Sequence, residues 1–199
     1  MNDSAAEHGA TPLEVDYSNV SVLAEVLAAR NIGTVISALN MDSQNASDAQ
    51  ISLIQAASAS GSVTRFIPSD FNVDYDVSDE LFPYPEKSFH QQAKAELQKH
   101  PGLTCTSIQA GMSMDYYGMP RLKTHLWALV AFVDVEHRKA AIPGDGNAKV
   151  VFTLTGDLAK FVVALLDLPT EKWPRSAMVV GDRLTLNKLV EMAEKIVGR

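Results

Sequence analysis

Short β-branched apolar runs alternate with amphipathic stretches along the first half of the chain, and that alternation leaves few folds open. "PLEVDY" predicts a short strand. "SNVSVLAEVLAARN" predicts a helix, with Val20, Leu23 and Leu27 on one stripe and Ser18 or Asn19 as its N-cap. "GTVISAL" is nearly continuous in apolar residues, as a strand covered on both faces should be. "DAQISLIQAASASG" reads as a helix stopped by Gly61, and "VTRFIPS" as the next strand. "KSFHQQAKAELQKH" is a helix halted by Pro101-Gly102, and "LTCTSIQAG" is strand again. This β-α-β-α-β-α-β order predicts parallel strands joined by right-handed crossovers, a doubly wound α/β sheet. Ligands of such sheets bind beyond the carboxyl ends of the strands. Those ends are Asp16-Tyr17, Ser37-Ala38-Leu39, Pro68-Ser69-Asp70 and Ala110-Gly111-Met112.

The last third changes character. "KAAIPGDGNAKVVFTLTG" predicts a β-rich excursion turned at Gly144-Asp145-Gly146, where glycines permit positive φ. "GDLAKFVVALLDL" carries a helical stripe through Leu158, Phe161, Val162, Leu165 and Leu166. "SAMVVG" predicts a final strand. "TLNKLVEMAEKIVGR" predicts an amphipathic helix through Leu186, Leu189, Val190, Ala193 and Val197. No internal repeat or low-complexity linker interrupts the chain.

Composition narrows the partners. A length of 199 residues with 46% hydrophobic and 21% charged residues suits a single domain, or a domain with a small cap, around one good core. A net charge of −7 and the lack of a basic stripe argue against nucleic acid. The longest apolar run, "LWALVAFVDVE", is too short to span a membrane. The N-terminus has no basic region leading into an apolar stretch, so no secretory signal is expected. One cysteine, Cys105, excludes an intramolecular disulfide; the default is a soluble cytoplasmic domain.

Several residue patterns invite chemistry and fail its geometry. "SDFNVDYDVSDELFPYPE" is rich in carboxylates but lacks the alternating ligands and central glycine of a calcium loop. It reads as a solvated loop or a lid over a substrate cleft. Histidines 8, 90, 100, 125 and 137 are scattered without metal-ligand spacing, so no metal site is expected. Cys105 reads as a small buried hydrophobe, and no G-x-S-x-G supports a serine hydrolase.

Taken in order, "EVDYSNVSVLAEVLAARNIGTVISAL", "AQISLIQAASASGSVTRFIPSDF", "YPEKSFHQQAKAEL", "TCTSIQAGMSMDYYGMP" and "AAIPGDGNAKVVFTLTGDLAKFVV" resemble the NmrA-like, isoflavone-reductase-like branch of the atypical short-chain dehydrogenases, the fungal members above all. The resemblance divides the sequence into a turn-rich lead-in, 1–12, and one NmrA-like domain, 13–199. Within it, 13–112 is the Rossmann-like part and 113–199 the smaller α+β part on the substrate side. The family begins with a strand, a G-x-x-G-x-x-G turn, a helix and a second strand. No such turn stands in this sequence, which predicts an incomplete Rossmann-like sheet without the first two family strands. In the order 3-2-1-4-5-6, that removes the neighbour of "PLEVDY" and opens the edge of "GTVISAL". "PLEVDY" should then shift beside it, or the open edge should recruit a homodimer or a protein partner.

The resemblance implies an NADP(H)-dependent oxidoreductase acting on a small secondary metabolite, with the glycine motif that cradles the pyrophosphate absent. It places the family's catalytic lysine at Lys87, holding the nicotinamide ribose and assisting proton transfer. Read alone, Lys87 is a lysine in a first helical turn, and Lys94 is the runner-up on the same helix. Ser37, Ala38 and Leu39 would face the adenosine half of the dinucleotide, or simply permit a tight turn. Pro68, Ser69, Asp70 and Phe71 would back the nicotinamide, with Asp70 where the family usually carries glutamate; otherwise they form a strand-to-loop turn. Gly111 and Met112 would approach the carboxamide end. Ser113 replaces a common phenylalanine, and with Met114, Tyr116 and Tyr117 would face the substrate, unless the cluster is ordinary core. The alternative functions are a non-catalytic NmrA-like regulatory or binding protein, and a truncated inactive remnant.

Overall fold

The computed structural model describes residues 9–198. The beginning of the lead-in and His8 lie outside the described residues. Backbone contacts gather into two compact units: one runs to Ser69 and resumes over Ser78–Cys105, the other takes Asp70–Val77 and continues from Thr106. After Ser78–Cys105 the chain passes back into its second unit at 105/106.

The first unit is a three-stranded parallel sheet with its connecting helices. Asn19 caps α1 (Val20–Ala29), its side-chain oxygen accepting from the Val22 amide at 3.1 Å. The strands β1 (Thr34–Ile36), β2 (Arg65–Ile67) and β3 (Thr104–Cys105) lie side by side in that order, with Thr34 opposite Arg65 and Phe66 opposite Cys105. Between them run α2 (Gln44–Ala59) and α3 (Lys87–Gln98). Ser43 caps α2 by accepting from Ala46, and beyond its far end Gly61 adopts φ +70. Val35, Leu53, Ile54, Ala57, Phe66, Ala93 and Leu97 make the core between sheet and helices.

Two expectations fail here. "PLEVDY" forms no strand. The Asp16 carboxylate accepts from both the amide and the hydroxyl of Ser18, turning the chain into α1. Val15 and Tyr17 instead pack on Leu23, Ala24 and Ala56. Consequently "PLEVDY" does not move beside β1. Among the described residues no strand pairs with the outer edge of β1, and Ile36, expected to be covered, is 43% exposed.

The second unit is α+β. β4 (Ser107–Gln109) pairs in parallel with β9 (Ser176–Met178). β5 (Met112–Ser113), β8 (Lys149–Thr153) and β10 (Asp182–Thr185) form a mixed sheet in the order β10-β8-β5. A hairpin joins β6 (Val133–Asp134) to β7 (Lys139–Ala140). Its helices are α4 (Asp115–Gly118), α5 (Thr155–Leu166) and α6 (Leu186–Ile196). The α5 stripe turns inward as its periodicity predicts, with Leu165 buried.

"LTCTSIQAG" is therefore two short strands in different sheets, broken at Thr106, whose hydroxyl donates to the Pro174 carbonyl at 2.6 Å. Gly144 and Gly146 do adopt positive φ, but they join β7 to β8, which do not pair with each other. Asn187 donates to the Asp145 carbonyl at 2.8 Å and so ties this turn to α6.

Candidate functional site

In the first unit the carboxyl ends of β1 and β2 are stitched together. The Ser37 amide donates to the Ile67 carbonyl at 2.8 Å, and the Ser69 hydroxyl to the Leu39 carbonyl at 2.7 Å. The Ser69 amide donates to the side-chain carbonyl of Gln50 at 2.9 Å. Ser37 and Pro68 are buried, Leu39 and Ser69 are half-buried, and Ala38 is exposed. The Ser37 hydroxyl is buried without a hydrogen-bond partner. Exposed Ala38, at the carboxyl end of a parallel strand, leaves the backbone there open to the polar edge of a ligand such as a dinucleotide.

Lys87 opens α3 and is only 3% exposed. Its ammonium pairs with Asp79 Oδ1 at 2.6 Å and donates to the Phe82 carbonyl at 3.2 Å. The Asp79 side chain is 86% exposed, so a carboxylate in water neutralises a cation held inside. Burial separates Lys87 from Lys94, which is exposed two turns further along the same helix. Sequence reasoning missed Asp79, treating it as one more carboxylate of a solvated loop. Asp79 lies in an irregular segment before α3 to which no helical or strand repeat applies, and only the path of the loop brings the two together.

In the second unit the Asp70 carboxylate accepts from the Ser107 hydroxyl at 2.7 Å, and the Asn72 carbonyl accepts from the Gly111 amide at 2.8 Å. The turn carrying Asp70 and half-buried Phe71 is thereby fixed to the end of β4. Gly111 has φ +69, and a Cβ there would run into the Val151 carbonyl. Met112 and Ser113 extend β5 against Phe152 and Thr153. The Ser113 hydroxyl donates to Asp115 at 2.8 Å, so it serves the fold locally.

Asp115 also accepts from the Thr155 amide at 2.9 Å and hydroxyl at 2.6 Å, capping α5. Burial pushes its carboxyl upward, but the Thr155 and Ser113 hydrogen bonds outweigh this and hold it below the usual range.

Beyond β5, the same unit contains a cavity of about 980 Å³. Met114, Tyr117, Phe152, Leu184, Leu189 and Met192 make much of its wall, while Arg121, Arg138, Glu136 and Asp182 supply its charged side chains. Of the substrate-facing candidates Met114 and Tyr117 line it; Ser113 and Tyr116 do not. Tyr117 meets Phe152 edge-on, with ring centroids 5.8 Å apart. Burial pushes the Tyr117 phenol up to about 12, so it stays protonated at neutral pH. Among the described residues, no group of His, Cys, Asp and Glu could hold a metal ion, and no helix is long and apolar enough to cross a membrane.

Parallel β-α-β units with small residues at the strand ends define a Rossmann-like α/β fold. A model of the NmrA-like family matches residues 1–199, and the chain belongs to that family. It is 37% identical over 194 residues to oxidoreductase BOA1 of Botryotinia fuckeliana, covering 98% of this chain and 63% of the relative. It is 35% identical over 189 residues to oxidoreductase swnN of Arthroderma benhamiae, covering 92% and 58%. Among solved structures, leucoanthocyanidin reductase of Vitis vinifera in complex with NADPH shares the fold, with a TM-score of 0.74 at 21% identity. That likeness covers 100% of this chain and 64% of the other. The chain thus spans about three fifths of the proteins it matches.

Proposed function

We propose that this protein is an NADP(H)-dependent oxidoreductase that acts on a small, largely apolar metabolite, with Lys87 as the proton-handling group. The observation that carries the reading is Lys87 itself: a buried ammonium at the first turn of α3, oriented by a carboxylate and a carbonyl. Lysine is among the residues least often buried, and a buried, oriented one at the start of a helix beyond a parallel strand is a candidate for proton handling. The relatives named oxidoreductases and the NADPH complex of a protein of like fold support the assignment.

NADP(H), when bound, supplies or accepts the hydride at a carbonyl or conjugated double bond of the substrate. Ala38, Leu39, Pro68 and Ser69 would hold it at the strand ends of the first unit, with Ser37 supporting the turn from behind. Lys87 donates or takes the proton at the substrate oxygen or carbon.

The test begins with calorimetric titration of the folded chain with NADPH. Saturable binding near the micromolar range, about −8 kcal/mol, is expected. Lys87→Met should then lower turnover by about 10²–10⁴-fold while leaving NADPH binding measurable. No binding by the folded chain, or full turnover by the variant, would overturn the proposal. A stable protein complex without turnover would instead favour a non-catalytic binding protein.

A further inference from the structure

Two polar side chains between β1 and α2 are sealed from solvent and incompletely bonded. Ser37 is 2% and Gln50 0% exposed; the Ser37 hydroxyl and the Gln50 side-chain nitrogen have no hydrogen-bond partner. Alternation along β1 puts Ser37 on the face of Val35, which packs against Leu53 and Ile54 of α2. Gln50 lies one helical turn before that pair, level with the strand ends.

Its carbonyl end is already used, accepting from the Ser69 amide at 2.9 Å, and Ser69 in turn donates to Leu39 at 2.7 Å. Gln50 therefore reaches from the helix layer into the turn after β2 and, through Ser69, fixes the turn after β1. An apolar residue of the same shape would fill this place without leaving a buried amide half-satisfied, so packing alone does not account for a glutamine there.

We propose that Gln50 is a cofactor-positioning residue, acting through Ser69 to hold the strand-end turns in the shape that receives the dinucleotide. This rests on the NADP(H) reading above. The side chain does not itself meet solvent; its effect passes through the Ser69 amide to the backbone of Leu39 and Pro68.

The test measures NADPH affinity by calorimetry for wild type, Gln50→Met, Ser69→Ala and the double variant, together with thermal midpoints and exchange of the Ser69 amide. Gln50→Met should weaken NADPH about tenfold, the loss of one positioned hydrogen bond, at nearly unchanged thermal midpoint. The Ser69 amide should exchange faster in that variant. Ser69→Ala should weaken binding similarly, and the double variant should be no worse than the poorer single one, because the two act in series. Wild-type affinity in folded Gln50→Met or in Ser69→Ala, or strict additivity, overturns the positioning role while the cofactor reading stands. No NADPH binding by the wild type overturns both.

Discussion

Replacing Asp79 by alanine should destabilise the protein, whereas replacing Lys87 by methionine should not. The asymmetry follows from burial: the Lys87 side chain is 4% exposed and that of Asp79 86%. At their 2.6 Å separation the attraction is about 1.6 kcal/mol in bulk water and about 6 kcal/mol at the effective dielectric of a protein surface. The exposed carboxylate puts the pair near the lower figure, and side-chain ordering reduces it further. Asp79→Ala leaves a buried ammonium with one neutralising carboxylate fewer, at a cost of about 1–2 kcal/mol. For a chain of this size that is a fall of about 2–8 °C in thermal midpoint. Lys87→Met removes the buried charge, fills its place with an apolar stem and returns Asp79 to water, so stability should change by less than about 1 kcal/mol. Differential scanning calorimetry of the two variants at neutral pH is the assay. Equal losses in both, or no loss in Asp79→Ala, would refute the picture of an inside cation held by an outside anion.

Gly111→Ala should destabilise by about 2 kcal/mol or more, since it combines φ +69 with a Cβ against the Val151 backbone; urea denaturation reads this directly. Glu96 carries an acid limb of the stability curve. Its carboxyl is held down to about 2 by hydrogen bonds from Lys99, Gln55 and His100 against the opposing effect of burial. A carboxyl depressed on folding stabilises fully above its unfolded value near 4.5, and that contribution disappears as pH falls towards about 2. The urea-midpoint gap between wild type and Glu96→Gln should therefore narrow from pH 7 to pH 3, and a gap independent of pH contradicts the assignment.

The sequence by itself determined what depends on near neighbours. The positive φ of Gly61, Gly144 and Gly146, the α5 stripe and the parallel pairing of "GTVISAL", "VTRFIPS" and the start of "LTCTSIQAG" follow from spacing and local backbone chemistry, whereas Ser18 and Asn19 are equal cap candidates until the structure takes Asn19. The burial of Lys87 at the first turn of α3 was legible as a position, through the family resemblance, but not as an environment. Tertiary structure decided the rest. "PLEVDY" has a strand's composition, yet the Asp16–Ser18 turn and the apolar surface of α1 and α2 outweigh pairing. "LTCTSIQAG" reads as one strand but is divided by a long-range bond from Thr106 to Pro174. Asp79 became the partner of Lys87, and Gln50 the clamp on Ser69, through contacts no local pattern encodes. Periodicity records which face a side chain takes. It cannot record which distant group that face will meet, because the meeting depends on loops and crossovers whose paths are settled only when the whole core packs.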